Sequence, residues 1–354
     1  MPSPSPRPRA RGRFPVAGLP VGSWPVVGWT LVVVSLLIAV GFLSGRGAVE
    51  MGRQGSNRAA QQNAPELAVA KRLTEKDRKV QAIKAQTGAV EGVYASIANG
   101  ADRVELVYQT PEAVSGEASE ALLFLAHGCS HSATDFFDRS ATCPSCIGLP
   151  IERHIVRSAL QRRFAVVAVS SADRLFSKCW SAGLDAPRVF QALSYVLNAT
   201  KLKPLPLLAL GASSGGAMVH ALGTLTLPDS LAAAGRARIA AVAVQIMPID
   251  AHDMDEMYPP LILWHMPRDA RSAAYISEAV STLRAKRRPI RELTCDPFAL
   301  TPSIFSDWMP SVPRRTSASL FSALKKAGML DREGFLRDDP RGVCHVHGTL
   351  TPKP

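Results

Sequence analysis

The sequence predicts an α/β sandwich with a mostly parallel central sheet. Short apolar runs of strand length alternate with segments of helical periodicity. Strands buried on both faces and separated by helices are typical of parallel sheets. The predicted strands are residues 121–126, 164–169, 205–210, 239–246, 261–264 and 290–294. The predicted helices are residues 151–163, 187–200, 217–225, 270–286 and 317–327.

A hairpin signal precedes the parallel region. Residues 90–97 and 103–108 alternate apolar and polar side chains on either side of Asn99-Gly100. An Asn-Gly pair between two such segments is a strong signal for a tight antiparallel turn. We therefore expect two antiparallel strands at one edge of the sheet.

The chain divides into four segments. Residues 1–23 are rich in proline and arginine and are predicted to be disordered. Residues 24–43 contain an apolar block about long enough to cross a bilayer as a helix. Residues 44–87 are interpreted as a polar linker and a stalk helix. The α/β domain is expected at 88–354, and its last part, 296–354, is expected to be an irregular C-terminal extension.

The net charge of +12 does not indicate a nucleic-acid partner. Half of the excess lies in the first 60 residues, which hold seven arginines and one acid. The other basic runs lack the interleaved aromatic residues that stack on bases. Arginines before the apolar block favour a single-pass signal-anchor with the domain on the lumenal side. A cleaved signal peptide and an organelle transit peptide are the alternatives.

The strongest motif is Gly211-Ala212-Ser213-Ser214-Gly215, which fits the G-x-S-x-G pattern between a predicted strand and a helix. In an α/β-hydrolase this pattern lifts a nucleophilic serine out of the sheet on a sharp turn. Small residues are needed because the strand and helix backbones approach closely there. Ser213 is therefore the predicted nucleophile, and a glycine turn for packing or phosphate binding is the alternative.

A second signal is His127-Gly128-Cys129 at the end of the apolar run 121–126. This is where such enzymes place an oxyanion donor. The backbone N–H groups of Cys129 and Ser214 are the predicted oxyanion hole. His127, Gly128 and His131 are expected to line the pocket.

The remaining triad members are predicted from chain order, which in this fold runs Ser, Asp, His. Asp269 follows the strand at 261–264 and is the predicted acid, with Asp250 as the alternative. His347, or alternatively His345, is the predicted base. His127, His131 and His265 precede Asp269 and are set aside as bases by this rule.

Six cysteines permit up to three disulfides. Cys129, His131, Cys143 and Cys146 resemble a zinc ligand set, but one intervening residue strains a tetrahedral site. A Cys143/Cys146 redox pair is a further alternative. Structural disulfides or free thiols are favoured, with no metal and no cofactor.

Three segments carry a family resemblance: His127–Ala133, Cys143–Pro150 and Gly211–Gly216. They resemble a poorly characterised α/β-hydrolase-like family of plants and algae over about residues 88–310. The resemblance implies the fold and, by analogy, hydrolytic activity.

The sequence thus predicts a membrane-anchored serine hydrolase that cleaves a small or medium carboxylic ester or acyl group. Two other classes remain open. One is a catalytically inactive binding or scaffold protein of the same fold. The other is a redox or metal-binding role for the segment 129–146.

Overall fold

The computed structural model describes residues 88–100, 102–233, 236–309, 311–337, 343–346 and 349–352. The basic N-terminus, the predicted transmembrane helix, the linker and the stalk helix lie outside the described residues. Among the described helices, none is both long and apolar enough to cross a membrane.

An eight-stranded sheet with the order β1-β2-β4-β3-β5-β6-β7-β8 forms the centre of the domain. Strands β3 to β8 are parallel, while β2 is antiparallel to both β1 and β4. The predicted mostly parallel sheet with an antiparallel edge is confirmed. The strands are β1 Val93–Asn99, β2 Asp102–Gln109, β3 Ala121–Ala126, β4 Phe164–Val169, β5 Leu207–Ala212, β6 Ala241–Gln245, β7 Leu261–His265 and β8 Ile290–Thr294.

The predicted hairpin joins β1 to β2. Asn99 pairs with Asp102, so the connection is tight. Gly100 has a φ of +61°, a value that glycine adopts without a steric penalty. The Asn-Gly signal therefore located the turn correctly.

Strands β3, β4 and β5 are apolar or glycine throughout because both faces of the sheet are covered there. Leu122 and Phe124 of β3 belong to one core cluster, whereas Leu123 and Leu125 belong to the cluster on the other face. Alternate side chains of a strand point to opposite faces.

Seven α-helices are described. They are α1 Pro111–Ser115, α2 Pro150–Leu160, α3 Ala182–Thr200, α4 Ser214–Gly223, α5 Ala270–Ala285, α6 Ile304–Trp308 and α7 Arg314–Lys326. Helices α3, α4 and α5 contribute to the first cluster, and α2 contributes to the second.

Helix α3 begins earlier than predicted. The prediction placed its start at Pro187. The helix begins at Ala182 instead, and the Asp185 carboxylate accepts the N–H of the preceding Ser181 at 2.8 Å. That side-chain bond stabilises an extra turn ahead of the proline.

The described residues after β8 include α6, α7 and one ribbon. In the ribbon, β9 Val343–Val346 pairs antiparallel with β10 Thr349–Pro352. Trp308 of α6 packs against the second core cluster.

Candidate active site

Ser213 lies on a sharp turn between β5 and α4, with φ 54° and ψ −124°. This conformation is costly for a non-glycine residue and persists only where its surroundings impose it. The Ser213 N–H donates to the carbonyl of Gln245 at 2.9 Å, and its carbonyl accepts the N–H of Ala217 at 3.1 Å. The bond to Gln245 fixes the turn to β6, and the bond from Ala217 is the first hydrogen bond of α4.

The two motif glycines stand where no side chain fits. A Cβ on Gly211 would lie 2.1 Å from the carbonyl oxygen of Gly215. A Cβ on Gly215 would lie 2.3 Å from the oxygen of Ala126 and 2.4 Å from that of His127. The predicted close approach of strand and helix backbones therefore exists in the structure, and it extends to the end of β3.

The chain after β3 turns back toward Ser213. The N–H of His131 donates to the carbonyl of Gly128 at 3.3 Å, and Ser130 has a φ of 67°. A positive φ at this third position is the geometry of a type II turn, which normally selects glycine. A Cβ on Gly128 would lie 3.7 Å from the Ser213 Cβ and 3.9 Å from Cδ2 of His131. The turn therefore places Gly128 beside the serine and the His131 ring beside Gly128.

His127 is buried and has a structural arrangement of bonds. Its Nε2 accepts the N–H of Ser171 at 3.1 Å, which requires the proton on Nδ1, and Nδ1 donates to the carbonyl of Gly128 at 2.7 Å. Burial lowers the pKa of His127 to about 4. The ring is thus neutral, and both of its nitrogens hold backbone atoms near the site.

A disulfide joins the turn to the segment 171–181. Cys129 is bonded to Cys179, and the Ser130 N–H donates to the carbonyl of Ser177 at 2.8 Å. Trp180 Nε1 donates to the carbonyl of His127 at 2.8 Å. The predicted oxyanion donor Cys129 is therefore held on a segment with several independent anchors.

His131 and Asp135 form a close pair. Nδ1 of His131 lies 2.6 Å from Oδ2 of Asp135. The hydrogen bond to Asp135 raises the pKa of His131, against the effect of burial. Burial disfavours the Asp135 anion, but hydrogen bonds from His131 and Ser132 outweigh it and lower the pKa of Asp135. Glu152 lies nearby, and burial raises its pKa to about 7.

A small cleft lies beside the serine turn, lined by Ala212 of that turn among other residues. His127, Gly128 and His131, the predicted pocket residues, are among its lining residues. Gln245 also lines the cleft, and its Nε2 is buried with no hydrogen-bond partner in the described structure. The Ser214 Oγ is likewise buried and unpartnered, whereas its N–H lies in the first helical turn, where the helix itself supplies no acceptor.

Asp269 stands where chain order predicted the acid, immediately after β7. Its carboxylate accepts the N–H of Ser272 at 3.1 Å and caps α5. Asp250, the alternative acid, accepts the N–H of His252 at 2.8 Å in an exposed connection. These contacts do not join either carboxylate to a histidine ring.

The histidines of the tail are not part of the described site. The backbone of His345 pairs with Leu350 in the C-terminal ribbon, and His347 lies outside the described residues. His265, at the end of β7, contacts Glu292 through Nε2 at 3.0 Å. The His131–Asp135 pair was not predicted from the sequence. The sequence does show a histidine four residues before an aspartate, shortly after β3, and this spacing could have indicated the pair.

Two disulfides join four cysteines in the part of the chain that the structure describes. Cys143 is bonded to Cys146 and both side chains are fully buried, and Cys295 is buried as well. The three sulfurs of the zinc alternative are therefore in disulfides. In the described part of the chain, no cluster of three or more His, Cys, Asp or Glu residues is placed to hold a metal.

The sequence matches no protein-family model, and no curated protein matches it. Among solved structures, the domain is similar to dienelactone hydrolase from Anabaena variabilis, with 17% identity and a TM-score of 0.41, over 71% of this chain and 100% of that chain. It is similar to the acylaminoacyl peptidase of Pyrococcus horikoshii, with 13% identity and a TM-score of 0.42, over 69% of this chain and 42% of that chain. A third similar structure is Thermogutta terrifontis esterase 2, with 13% identity and a TM-score of 0.39, over 67% of this chain and 95% of that chain. The α/β-hydrolase fold follows from the strand order and the serine turn described above.

We predict that Gly215→Ala destabilises the domain by about 1–3 kcal/mol, because its Cβ would meet two carbonyl oxygens that cannot easily move. The matched control is Gly183→Ala in α3, where nothing lies within 4 Å of the added carbon. There we expect a gain of about 0.5 kcal/mol from the better helix former. Urea unfolding of both variants measures the two changes, and equal stabilities would contradict the steric account.

We predict that the double variant Cys129→Ala/Cys179→Ala reacts more slowly with a serine-directed probe than Cys143→Ala/Cys146→Ala does. Only the first disulfide anchors the turn that carries the proposed oxyanion donor. It also spans 50 residues rather than 3. In the chain-entropy model its loss costs about 4 kcal/mol, against about 2 kcal/mol for the short loop. Probe-reaction rates and urea unfolding test both parts, and a slower reaction of the Cys143/Cys146 variant would refute the anchoring role.

Proposed function

We propose that the protein is a serine hydrolase that cleaves a carboxylic ester or acyl group. The observation that carries the proposal is the conformation of Ser213. A non-glycine residue with positive φ lies at the carboxyl end of a central parallel strand, between two glycines that admit no side chain. Such strain is typical of functional sites, and this form of it exposes a nucleophile.

In the proposed reaction, Ser213 Oγ attacks the acyl carbonyl and its proton passes to a base. The N–H groups of Cys129 and Ser214 stabilise the developing oxyanion. Cys129 follows Gly128, whose position lies beside Ser213, and Ser214 begins α4. The helix N-terminus adds a favourable field for negative charge.

The acid and base are a separate proposal. Chain order proposes Asp269 with His347, or with His345. The position of Asp269 after β7 supports that choice of acid. The nucleophile and the oxyanion donors do not depend on this pair.

The proposed substrate is a small or medium ester or acylated group. A connection of 15 residues between β6 and β7 leaves little chain for a large lid. The apolar block in residues 24–43 supports a membrane anchor. Two disulfides support a domain on the lumenal side, since cytosolic proteins rarely keep disulfides.

A catalytically inactive protein of the same fold is the second candidate. It is favoured by the sequence after β8, where the usual histidine position holds Cys295-Asp296-Pro297. The experiment below separates the two candidates.

We predict that the full-length protein in detergent reacts covalently with a fluorophosphonate probe, and that Ser213→Ala abolishes the reaction. The matched control is Ser214→Ala, which removes a buried unpartnered hydroxyl and keeps the backbone N–H. It should react within a few-fold of the wild-type rate and be at least as stable. Gel fluorescence measures both reactions. No labelling of a folded wild-type protein, or labelling that survives Ser213→Ala, would exclude the proposal.

A further inference from the structure

Resting on the proposed function, we propose that His131, positioned by Asp135, is the general base that activates Ser213. This assignment replaces the histidine expected from chain order. Triads on unrelated folds occur in different chain orders, so geometry and roles define them. The order His131, Asp135, Ser213 is therefore no obstacle.

The turn after β3 gives the imidazole its position. Its closing bond, from the His131 N–H to the carbonyl of Gly128, folds the ring back over Gly128. Cδ2 of His131 and the Cβ of Ser213 both lie within 4 Å of the point where a Gly128 side chain would begin. Cδ2 is bonded to Nε2, so the Cδ2–Nε2 edge of the ring and the Cβ of Ser213 border the same small space beside Gly128.

The hydrogen bond to Asp135 sets the tautomer. The carboxylate of Asp135 can only accept, so Nδ1 of His131 must carry the proton at the 2.6 Å contact. In the neutral ring, Nε2 then holds a lone pair instead of a proton. A general base for Ser213 needs such a lone pair, on a nitrogen that can reach the serine hydroxyl.

Asp135 is itself firmly held, as a positioning residue must be. Ser132 Oγ donates to its Oδ1 at 3.0 Å, and the side chain is buried. The Asp135 carbonyl accepts the N–H of Leu149 at 2.8 Å, and the N–H of Ala133 donates to Ser170 Oγ at 2.9 Å. The short 3-10 helix Ala133–Phe136 is thus tied to neighbouring segments on both sides.

Three of the other described histidines have hydrogen-bond partners outside the proposed pair. His127 is close to the serine, but its Nε2 already accepts the N–H of Ser171. His220 is bonded to Tyr258 at 2.8 Å, and His265 contacts Glu292. His131 lines the cleft beside the serine turn, and its bond to Asp135 sets the tautomer that the role needs.

The proposed step is balanced as follows. Nε2 of His131 takes the Oγ proton while Oγ bonds to the acyl carbon, and the oxyanion forms. The same proton then passes to the departing alcohol as the C–O bond breaks. Water repeats the sequence in reverse roles to release the acid and restore Ser213. With a fluorophosphonate, Oγ bonds to phosphorus, fluoride leaves and His131 retains the proton.

The first test compares fluorophosphonate reaction rates of His131→Gln and His347→Gln in the full-length protein. We expect a loss of roughly 100-fold or more for His131→Gln, the usual size of a general-base contribution. His252→Gln, an exposed histidine outside the site, is the control for histidine removal and should match the wild type. Urea unfolding confirms that each variant is folded.

If His131→Gln reacts like the wild type and His347→Gln or His345→Gln does not, the inference is wrong and the serine hydrolase proposal stands. If the wild type does not react at all, both fail. Loss in His131→Gln alone supports the inference.

A rescue experiment separates chemistry from folding. His131→Ala should regain at least a tenfold rate increase with added imidazole, because a free base can enter the vacated space. Ser213→Ala in the same buffer should stay unreactive. Absence of rescue in a folded His131→Ala variant would reject the general-base role.

The pH profile tests Asp135. The base must be neutral, and the hydrogen bond to Asp135 raises the pKa of His131 above its ordinary value. The reaction should therefore slow as pH falls through that raised pKa. Glu152 on α2 also favours protonated His131, whereas Lys178, in the segment anchored by Cys179, disfavours it.

Asp135→Asn should shift this acidic limb to lower pH and reduce the plateau rate at least tenfold. Glu292→Gln, which removes the carboxylate partner of His265 instead, should leave the limb in place. An unmoved limb in Asp135→Asn, or an equal shift in both variants, would overturn the assignment of Asp135.

Discussion

The contact between the start of α4 and the end of β3 is the constraint on which the site depends. The Cα of Gly215 sits so close to the carbonyls of Ala126 and His127 that even a methyl group is excluded. The same helix start lies so close to Gly211 of β5 that a side chain is excluded there too. Three elements are therefore locked together at one point. Because none of them can relax independently, the strained conformation of Ser213 between them is maintained.

The chain that follows β3 is also held firmly next to this contact. Gly128 sits beside the serine, and the positive φ of Ser130 sends the chain back over it. The disulfide at Cys129 and the Trp180 hydrogen bond then fasten this turn to the segment 171–181. Such anchoring matters for catalysis, because oxyanion donors act only when they are already in place as charge develops.

The sequence was most informative where one short-range rule decides the structure. Apolar runs buried on both faces located β3 and β4 to the residue, and Asn99-Gly100 located the hairpin. The predicted start of α3 at Pro187 was wrong. The helix begins at Ala182, where the Asp185 carboxylate accepts the N–H of Ser181. The G-x-S-x-G spacing predicted the elbow, since its cause is a local collision of backbones. Which cysteines pair was left open, because Cys129 meets Cys179 only through the tertiary structure.

The base is the part of the site that a linear rule describes least well. Chain order is a regularity of related enzymes, whereas proton transfer requires only a lone pair at the serine and a carboxylate behind the ring. In the proposed arrangement one short turn carries both the oxyanion donor Cys129 and the base His131. A single set of anchors would then align both groups with Ser213, so the Cys129–Cys179 disulfide would support oxyanion binding and proton transfer together. With His131 as the base, the chemistry would not depend on the C-terminal extension. With His347 as the base, it would.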